Sequence, residues 1–387
     1  MGSTAKPVAR FTRPPAIRWP EIRVAIIGPI APFRSGIARH TTALARALAR
    51  RQDVVVKVFS FDRLYPKWAY PGESEKDDSL GKPAELDTDY TLDTLNPLTW
   101  RRTTRACLAW CPDLVVIPAW SFVVAPALGT IAQQLRANGV PVTMIVHNAQ
   151  DHEAAAWKTA LSRFQLRKAQ RFVTHNTGLQ QTLATMVPGR ETAISPHPVY
   201  DDFPKAMGTL PRRAGIELLF FGLLRPYKGL DIALKALARV EADVHLTVAG
   251  EFWDGRSETE ELIQTLGLED RVELLPRYVA DAEAAELFHR ADVLLAPYRS
   301  VTGSGVVAMA QWYGLPVVAS DLPGFAEAIR PGETGWLVPP EDVDALAKCL
   351  GSDVTPASVA AMAPAIDRAR DRLSWAQFAR VVIDGVD

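Results

Sequence analysis

Cysteine is scarce: Cys107, Cys111 and Cys349 are the three in 387 residues, too few for a disulfide framework. The Cys-x3-Cys pair has no His or Cys cluster at zinc-site spacing to complete it, so no metal centre is expected. A reduced, cytosolic setting fits this usage best. A long unbroken apolar run is also missing. The uncharged stretch from Leu114 to Leu135 is long enough to span a bilayer, yet Pro118 and Pro126 interrupt it. It reads instead as a short buried strand, a turn and a helix. No secretory signal is expected either. Residues 1–21 hold Lys6, Arg10, Arg13 and Arg18 among several prolines without an apolar core, the pattern of a loose basic arm.

What is present is ordinary globular composition, with 48% hydrophobic and 22% charged residues, which excludes a disordered, collagenous or coiled-coil chain. The length suits two or three domains. Short aliphatic runs alternate with amphipathic segments throughout. Strands are expected at Arg23–Gly28, Val54–Phe59, Leu114–Ile117, Val142–His147, Phe172–Thr174 and Thr192–Ser195. A second series is expected at Glu217–Phe221, Val244–Ala249, Val272–Leu275, Val293–Ala296, Pro316–Ala319 and Trp336–Val338. Runs such as VVVKVF, DLVVIP and VLLAP are largely apolar on both faces, as parallel strands covered by helices should be. The fold class is therefore α/β, with two doubly wound domains. Their expected extents are 22–205 and 206–365, joined by the turn-rich stretch from Pro196 to Gly215. Thr355 and Ser374 are expected helix N-caps, and a crossover helix over 366–387 should pack back on the first domain.

The balance of 43 basic against 44 acidic residues conceals a polarity. Residues 1–205 carry 26 Lys and Arg against 17 Asp and Glu, and residues 206–387 carry 17 against 27. Either the first half meets an anionic partner such as a membrane surface, or the halves attract each other across a cleft. Trp100-Arg101-Arg102-Thr-Thr-Arg105 is the membrane-facing candidate, with Trp100 packed in the core as the alternative. No nucleic-acid partner is expected.

Three segments carry chemistry. The first strand runs into Gly28-Pro-Ile-Ala-Pro-Phe-Arg-Ser-Gly36, where a helix begins. Gly36 lets an anion approach the N–H groups at that helix start. The spacing is wrong for a dinucleotide fingerprint, and no acidic residue closes a second strand in the expected way. The first strand of the second domain ends in Gly222-Leu-Leu-Arg225-Pro-Tyr-Lys228-Gly229, where a guanidinium and an ammonium three residues apart can neutralise a diphosphate. Thr302, Gly303, Ser304 and Gly305 lead a loop into a helix, a sequence able to form a backbone nest for phosphate oxygens.

These segments, with VHNAQDHE (146–153), SPHPVYDDF (195–203), AGEFW (249–253), RYVADAEAAELFHRADVLLAPYRSVTGSG (277–305) and GLPVVASDLPGFAEAI (314–329), resemble the family-4 retaining glycosyltransferases in order and spacing. The resemblance covers about residues 22–385. It implies the GT-B fold, two Rossmann-like domains with a nucleotide-sugar donor in the cleft between them. It implies that Arg225 and Lys228 clamp the diphosphate, assisted by Ser304 and Gly305. It places Arg277, Tyr278 and Val279 at the base and Glu251 near the ribose. His147, and secondarily His152, would lie beside the transferring sugar as groups that bind or orient it. His175 and His197 are expected to satisfy local backbone groups.

The sequence departs from the family pattern at one pair of positions. Val301 and Met309 stand where the family commonly carries two glutamates, and neither can hydrogen-bond a sugar hydroxyl as a carboxylate does. The resemblance implies a metal-independent, cofactor-free hexosyltransferase acting on a glycan or lipid-linked acceptor, with retention of configuration. Such an enzyme would work in the cytoplasm or at the inner face of the membrane. A nucleotide-sugar epimerase or phosphorylase of the same fold, and a silent nucleotide-sugar-binding protein, are the alternatives.

Overall fold

A computed structural model describes residues 21–65, 74–77, 80–149, 155–200, 203–301 and 305–384. The basic arm expected over 1–21 lies outside these residues save for its last position. The first domain is built on β1 (Ile22–Ile27), β2 (Val54–Arg63), β3 (Thr88–Asp93), β4 (Leu114–Ala119), β5 (Val142–Val146), β6 (Arg171–Thr174) and β7 (Glu191–Ile194). They pair in the order β3-β2-β1-β4-β5-β6-β7, all parallel. The second is built on β8 (Ile216–Phe221), β9 (Val244–Ala249), β10 (Val272–Leu275), β11 (Val293–Ala296), β12 (Val317–Ser320) and β13 (Gly335–Val338). Their order is β10-β9-β8-β11-β12-β13, again parallel.

Central strands are buried on both faces. Every residue of β4, β5 and β11 is covered, each full-length Val, Ile or Leu contributing roughly 1.5–3 kcal/mol by leaving water. The apolar run from Leu114 divides into β4 and the helix Ala125–Ala137. Among the described residues no helix is long and apolar enough to cross a membrane. One strand escaped the sequence pattern. β3, Thr-Asp-Tyr-Thr-Leu-Asp, lies at the sheet edge and is mostly half-buried, so it lacks the apolar run by which buried strands are recognised.

The chain returns to the first domain at its end. Helix Pro356–Arg372 starts with a capping box between Thr355 and Ser358 and runs unbroken past residue 365. The stretch expected as one crossover helix over 366–387 is thus the end of this helix followed by a second one, Trp375–Ile383, capped by Ser374. Trp375, Phe378 and Val382 face inward and pack the second helix against Gly36–Ala49 of the first domain. Arg171 fastens it by donating to the Val381 carbonyl at 2.8 Å. The interdomain linker is tied to the same turn, Val199 N–H donating to Leu373 O at 2.8 Å.

Each sheet reverses its strand order once, between β1 and β4 and between β8 and β11. Crevices outside the carboxyl ends of strands at such reversals are where open α/β sheets take ligands. The Gly28–Gly36 loop leaves β1 and the Gly222–Gly229 turn leaves β8, so both glycine-bearing loops sit at a reversal.

Candidate functional site

Beyond β8 the backbone turns through Gly222, whose φ is +104°, a value that L side chains rarely adopt. It abuts Gly250 after β9: a Cβ on Gly250 would lie 2.0 Å from Gly222 O. The short 3-10 turn Pro226–Lys228 follows, ending on left-handed Gly229, where a Cβ would meet the Pro297 carbonyl at 2.1 Å. These close approaches press the turn against the end of β11. Lys228 is thereby buried, its Nζ 5.5 Å from the centre of the Tyr298 ring. Burial, reinforced by the nearby Arg225 charge, lowers its pKa to about 7. Arg225 is half-buried, with its guanidinium 5.2 Å from the Trp253 ring and 5.7 Å from Tyr227. Two cationic groups are concentrated at one strand-order reversal, an arrangement that a bound dianion would relieve.

The first domain faces this turn with the β1 loop. Ser35 caps the helix Gly36–Ala49 by accepting from Ala38 N–H at 3.1 Å. Among the described residues, no atom beyond Gly36's chain neighbours and its own helix backbone lies within 4 Å of where a Cβ on Gly36 would stand, so these residues leave the approach to that helix start open. Arg34 crosses to the second domain, Nη2 donating to Glu251 Oε2 at 2.7 Å with its guanidinium 4.0 Å from the Tyr278 ring. Arg39 donates to both carboxylate oxygens of Asp281 at 2.6 and 2.5 Å. Tyr278 reaches back, its hydroxyl donating to Asp77 at 2.7 Å. The basic-to-acidic polarity of the halves is thus expressed, at least here, as attraction between domains. Trp100 packs against the first-domain core with its indole N–H on Asp93 O at 2.8 Å, which settles its placement as the inward one.

The expected site residues divide accordingly. Gly36, Arg225, Lys228, Glu251 and Tyr278 lie at loops that meet at the cleft. Val279 is buried. Arg277 is exposed and held by Glu283 through bonds of 2.8 and 2.5 Å. Gly305 starts the helix Gly305–Trp312, 3.7 Å from the Tyr200 hydroxyl if a Cβ is added. Thr302, Gly303, Ser304 and His152 lie outside the described residues. Sequence reasoning missed Arg34, Arg39 and Asp281. Arg34 was visible inside the β1 loop, but its partner stands 217 residues away.

His147, at the end of β5, is half-buried and belongs to a group. Its ring centre lies 4.5 Å from His40 and 5.2 Å from His175, and His197 lies 5.0 Å from His175. Desolvation, followed by the neighbouring His197, lowers the His147 pKa to about 3; burial lowers that of His197 to about 4. Both are neutral hydrogen-bonding groups at pH 7. His175 Nδ1 lies 3.0 Å from Ser195 O and His197 Nδ1 2.8 Å from Pro198 O, the backbone roles expected for them. A cavity of about 230 Å³ opens beside His175 and His197, with Gln311, Phe325 and Glu327 on its other wall.

Two family models match this chain in tandem: "Glycosyl transferase 4-like domain" over residues 35–197 and "Glycosyl transferases group 1" over 215–352. The chain belongs to the group-1, family-4 glycosyltransferases. A GDP-mannose:glycolipid 4-beta-D-mannosyltransferase from Xanthomonas campestris is 28% identical over 53% of this chain and 60% of its own length. A D-inositol 3-phosphate glycosyltransferase from Rhodococcus opacus is 32% identical over 44% of this chain and 40% of its own. The matches therefore span about half the length of these curated relatives. Among solved structures, a sucrose-phosphate synthase from Thermosynechococcus elongatus superposes with a TM-score of 0.71 at 19% identity, covering 93% of this chain and 96% of the other. An Anabaena protein crystallised with UDP and glucose gives 0.70 at 17%, covering 94% and 98%. At those identities the likeness is one of fold, the GT-B fold.

Val301 and Met309, where the resemblance leads one to expect glutamates, follow β11. Met309 is buried in the core cluster, and Val301 is half-buried and packed against it. A carboxylate at 309 would place a charge among apolar side chains.

Proposed function

We propose that this glycosyltransferase moves a hexose from a nucleoside-diphosphate sugar to a glycan or lipid-linked acceptor held by the first domain, with retention of configuration. The observation that carries the reading is the pairing of buried Lys228 with Arg225 at the β8–β11 reversal. As the bond from the sugar C1 to the diphosphate breaks, negative charge grows on the leaving phosphate, and this pair stabilises it. The acceptor oxygen forms the new bond to C1 on the same face, and its proton passes to the departing phosphate. Glu251 and Tyr278 would serve the nucleoside end, and neutral His147 would hydrogen-bond the sugar or orient the acceptor. The reaction requires no metal in this reading. The acceptor class rests on the names of relatives, one acting on a glycolipid and one called a phosphatidyl-myo-inositol mannosyltransferase. Incubating the protein with UDP-, GDP-, ADP- or dTDP-sugars and lipid-linked acceptors, with product linkage read by NMR, tests it. An inverted linkage would remove the retaining mechanism.

A second reading is favoured by Val301 and Met309: a nucleotide-sugar-binding protein without turnover. It predicts donor binding by calorimetry and no product with any acceptor. An epimerase or phosphorylase would consume donor without a separate acceptor or with phosphate alone.

An anionic membrane surface is a further proposed partner. Helix Pro97–Ala109 exposes Arg101, Arg102 and Arg105, and Leu98 beside them is 72% exposed. With Trp100 turned inward, Leu95 and Leu98 are the apolar groups available to enter the headgroup layer.

A further inference from the structure

Four histidines scattered over 158 residue positions of the sequence, from His40 to His197, meet in one place. His40 comes from the helix Gly36–Ala49, His147 from the end of β5, His175 from the end of β6 and His197 from the linker. One ring nitrogen from each of His40, His147 and His175 lies within 4.8 Å of those of the other two. The Nε2 atoms of all three are buried and have no hydrogen-bond partner among the described residues. A buried polar atom left without a partner is uncommon, and three in one cluster of rings call for an explanation.

The hydrogen bonds of the group help to define its chemistry. Ser195 O can only accept, so His175 Nδ1 carries the proton and donates to it at 3.0 Å. His175 Nε2 is then a buried, unprotonated lone pair, the form that binds metals. A carbonyl on the far nitrogen is the outer-shell partner that metal-binding histidines ordinarily have. The surroundings are dry on one side and open on another. Trp375 and Phe378 of the last helix stand 4.8 and 5.1 Å from the His40 ring. His147 is half-buried, and the cavity beside His175 and His197 gives a route inward.

We propose that His40, His147 and His175 form a binding site for one divalent transition-metal ion of the zinc class. Three neutral imidazoles and a remaining position suit zinc, and also cobalt or nickel, better than the oxygen-seeking magnesium or calcium. Ligands of a tetrahedral zinc lie about 3.3 Å apart, given zinc–nitrogen bonds of about 2.0–2.1 Å. The ion therefore draws the rings together by side-chain rotation. It ties the start of the first-domain helix to the ends of β5 and β6, beneath the helix that returns from the second domain. The ion takes no chemical step in glycosyl transfer; with Nε2 on the ion, His147 would still have its Nδ1–H to offer the sugar or acceptor.

Cobalt(II) is the probe. The full-length chain, stripped with a chelator, is titrated with Co²⁺ and followed by visible absorption, then challenged with Zn²⁺. One Co²⁺ per chain with the intense bands of four-coordinate geometry, displaced by one Zn²⁺, is expected. His40→Gln and His175→Gln should each weaken binding at least tenfold with an unchanged far-ultraviolet circular dichroism spectrum, and the exposed His289→Gln should bind as the parent does. Absence of saturable binding overturns the site, as does equal binding by the His40→Gln/His175→Gln variant. Should those variants not fold, X-ray absorption on the zinc-loaded parent decides: three imidazole ligands support the assignment, and one or none refutes it. Nucleoside diphosphate binding at Arg225 and Lys228, measured separately, does not depend on either result.

Discussion

Arg34 and Glu251, one in each domain, close the cleft by an ion pair of 2.7 Å whose side chains are only 9% and 13% exposed. The Tyr278 ring lies 4.0 Å from the guanidinium, so the first domain covers two residues expected to serve the nucleoside. Removing either partner leaves a largely buried charge in an apolar and aromatic setting. Arg34→Met should open the domains, seen as a larger radius of gyration in small-angle scattering. A double-mutant cycle with Glu251→Gln should return a coupling of about 1–3 kcal/mol. A coupling near zero would mean that the pair does not hold the domains together.

The phosphate clamp makes the strongest kinetic demand. Arg225→Ala or Lys228→Ala should each cost about 2–4 kcal/mol of transition-state stabilisation, roughly 30-fold to 1,000-fold in kcat/KM. Turnover close to that of the parent in both variants would remove the donor site from the β8–β11 reversal.

Lys228 also sets a pH dependence. Its pKa is lowered from 10.5 to about 7 by burial and by Arg225, and a bound diphosphate favours the charged form. Nucleoside diphosphate affinity should therefore be greatest below pH 7 and fall towards tenfold per pH unit above it. Binding at pH 8 should take up a proton, visible as a buffer-dependent calorimetric enthalpy. The linkage to folding has the opposite sense. Between pH 7 and 10.5 the unfolded chain holds this proton and the folded one does not, so this group's contribution to stability rises with pH, by about 1.4 kcal/mol per unit. Lys228→Arg should flatten both profiles.

His147 belongs to the first domain, and the diphosphate clamp to the second. His147→Ala should lower kcat far more than it lowers nucleoside diphosphate affinity. Lost nucleotide binding with chemistry otherwise intact would contradict the division of labour between the domains.

Liposome co-sedimentation tests the proposed membrane surface. Binding should require anionic lipid, weaken with salt, and fall in an Arg101/Arg102/Arg105→Glu variant, each well-placed arginine contributing about 1 kcal/mol. Leu98→Ser should weaken it further. Equal binding to neutral and anionic vesicles would leave the charge polarity to interdomain attraction alone.

The sequence by itself determined the two α/β domains, because strands buried on both faces must be apolar along their whole length, and Leu114–Ile117 and Val293–Ala296 show that locally. It also determined the glycine-bearing turns, since the backbone at Gly222 and Gly229 needs φ values above zero, and the caps at Thr355 and Ser374, whose partners lie within three residues. The tertiary structure alone decided what depends on distance through space. β3 is a strand because β2 offers it an edge, not because its own residues demand one. Arg34 finds Glu251, and Arg39 finds Asp281, only when two domains meet. Above all, His40, His147, His175 and His197 have unrelated spacings along the chain. A helix start, two strand ends and a linker had to converge before they could become one cluster.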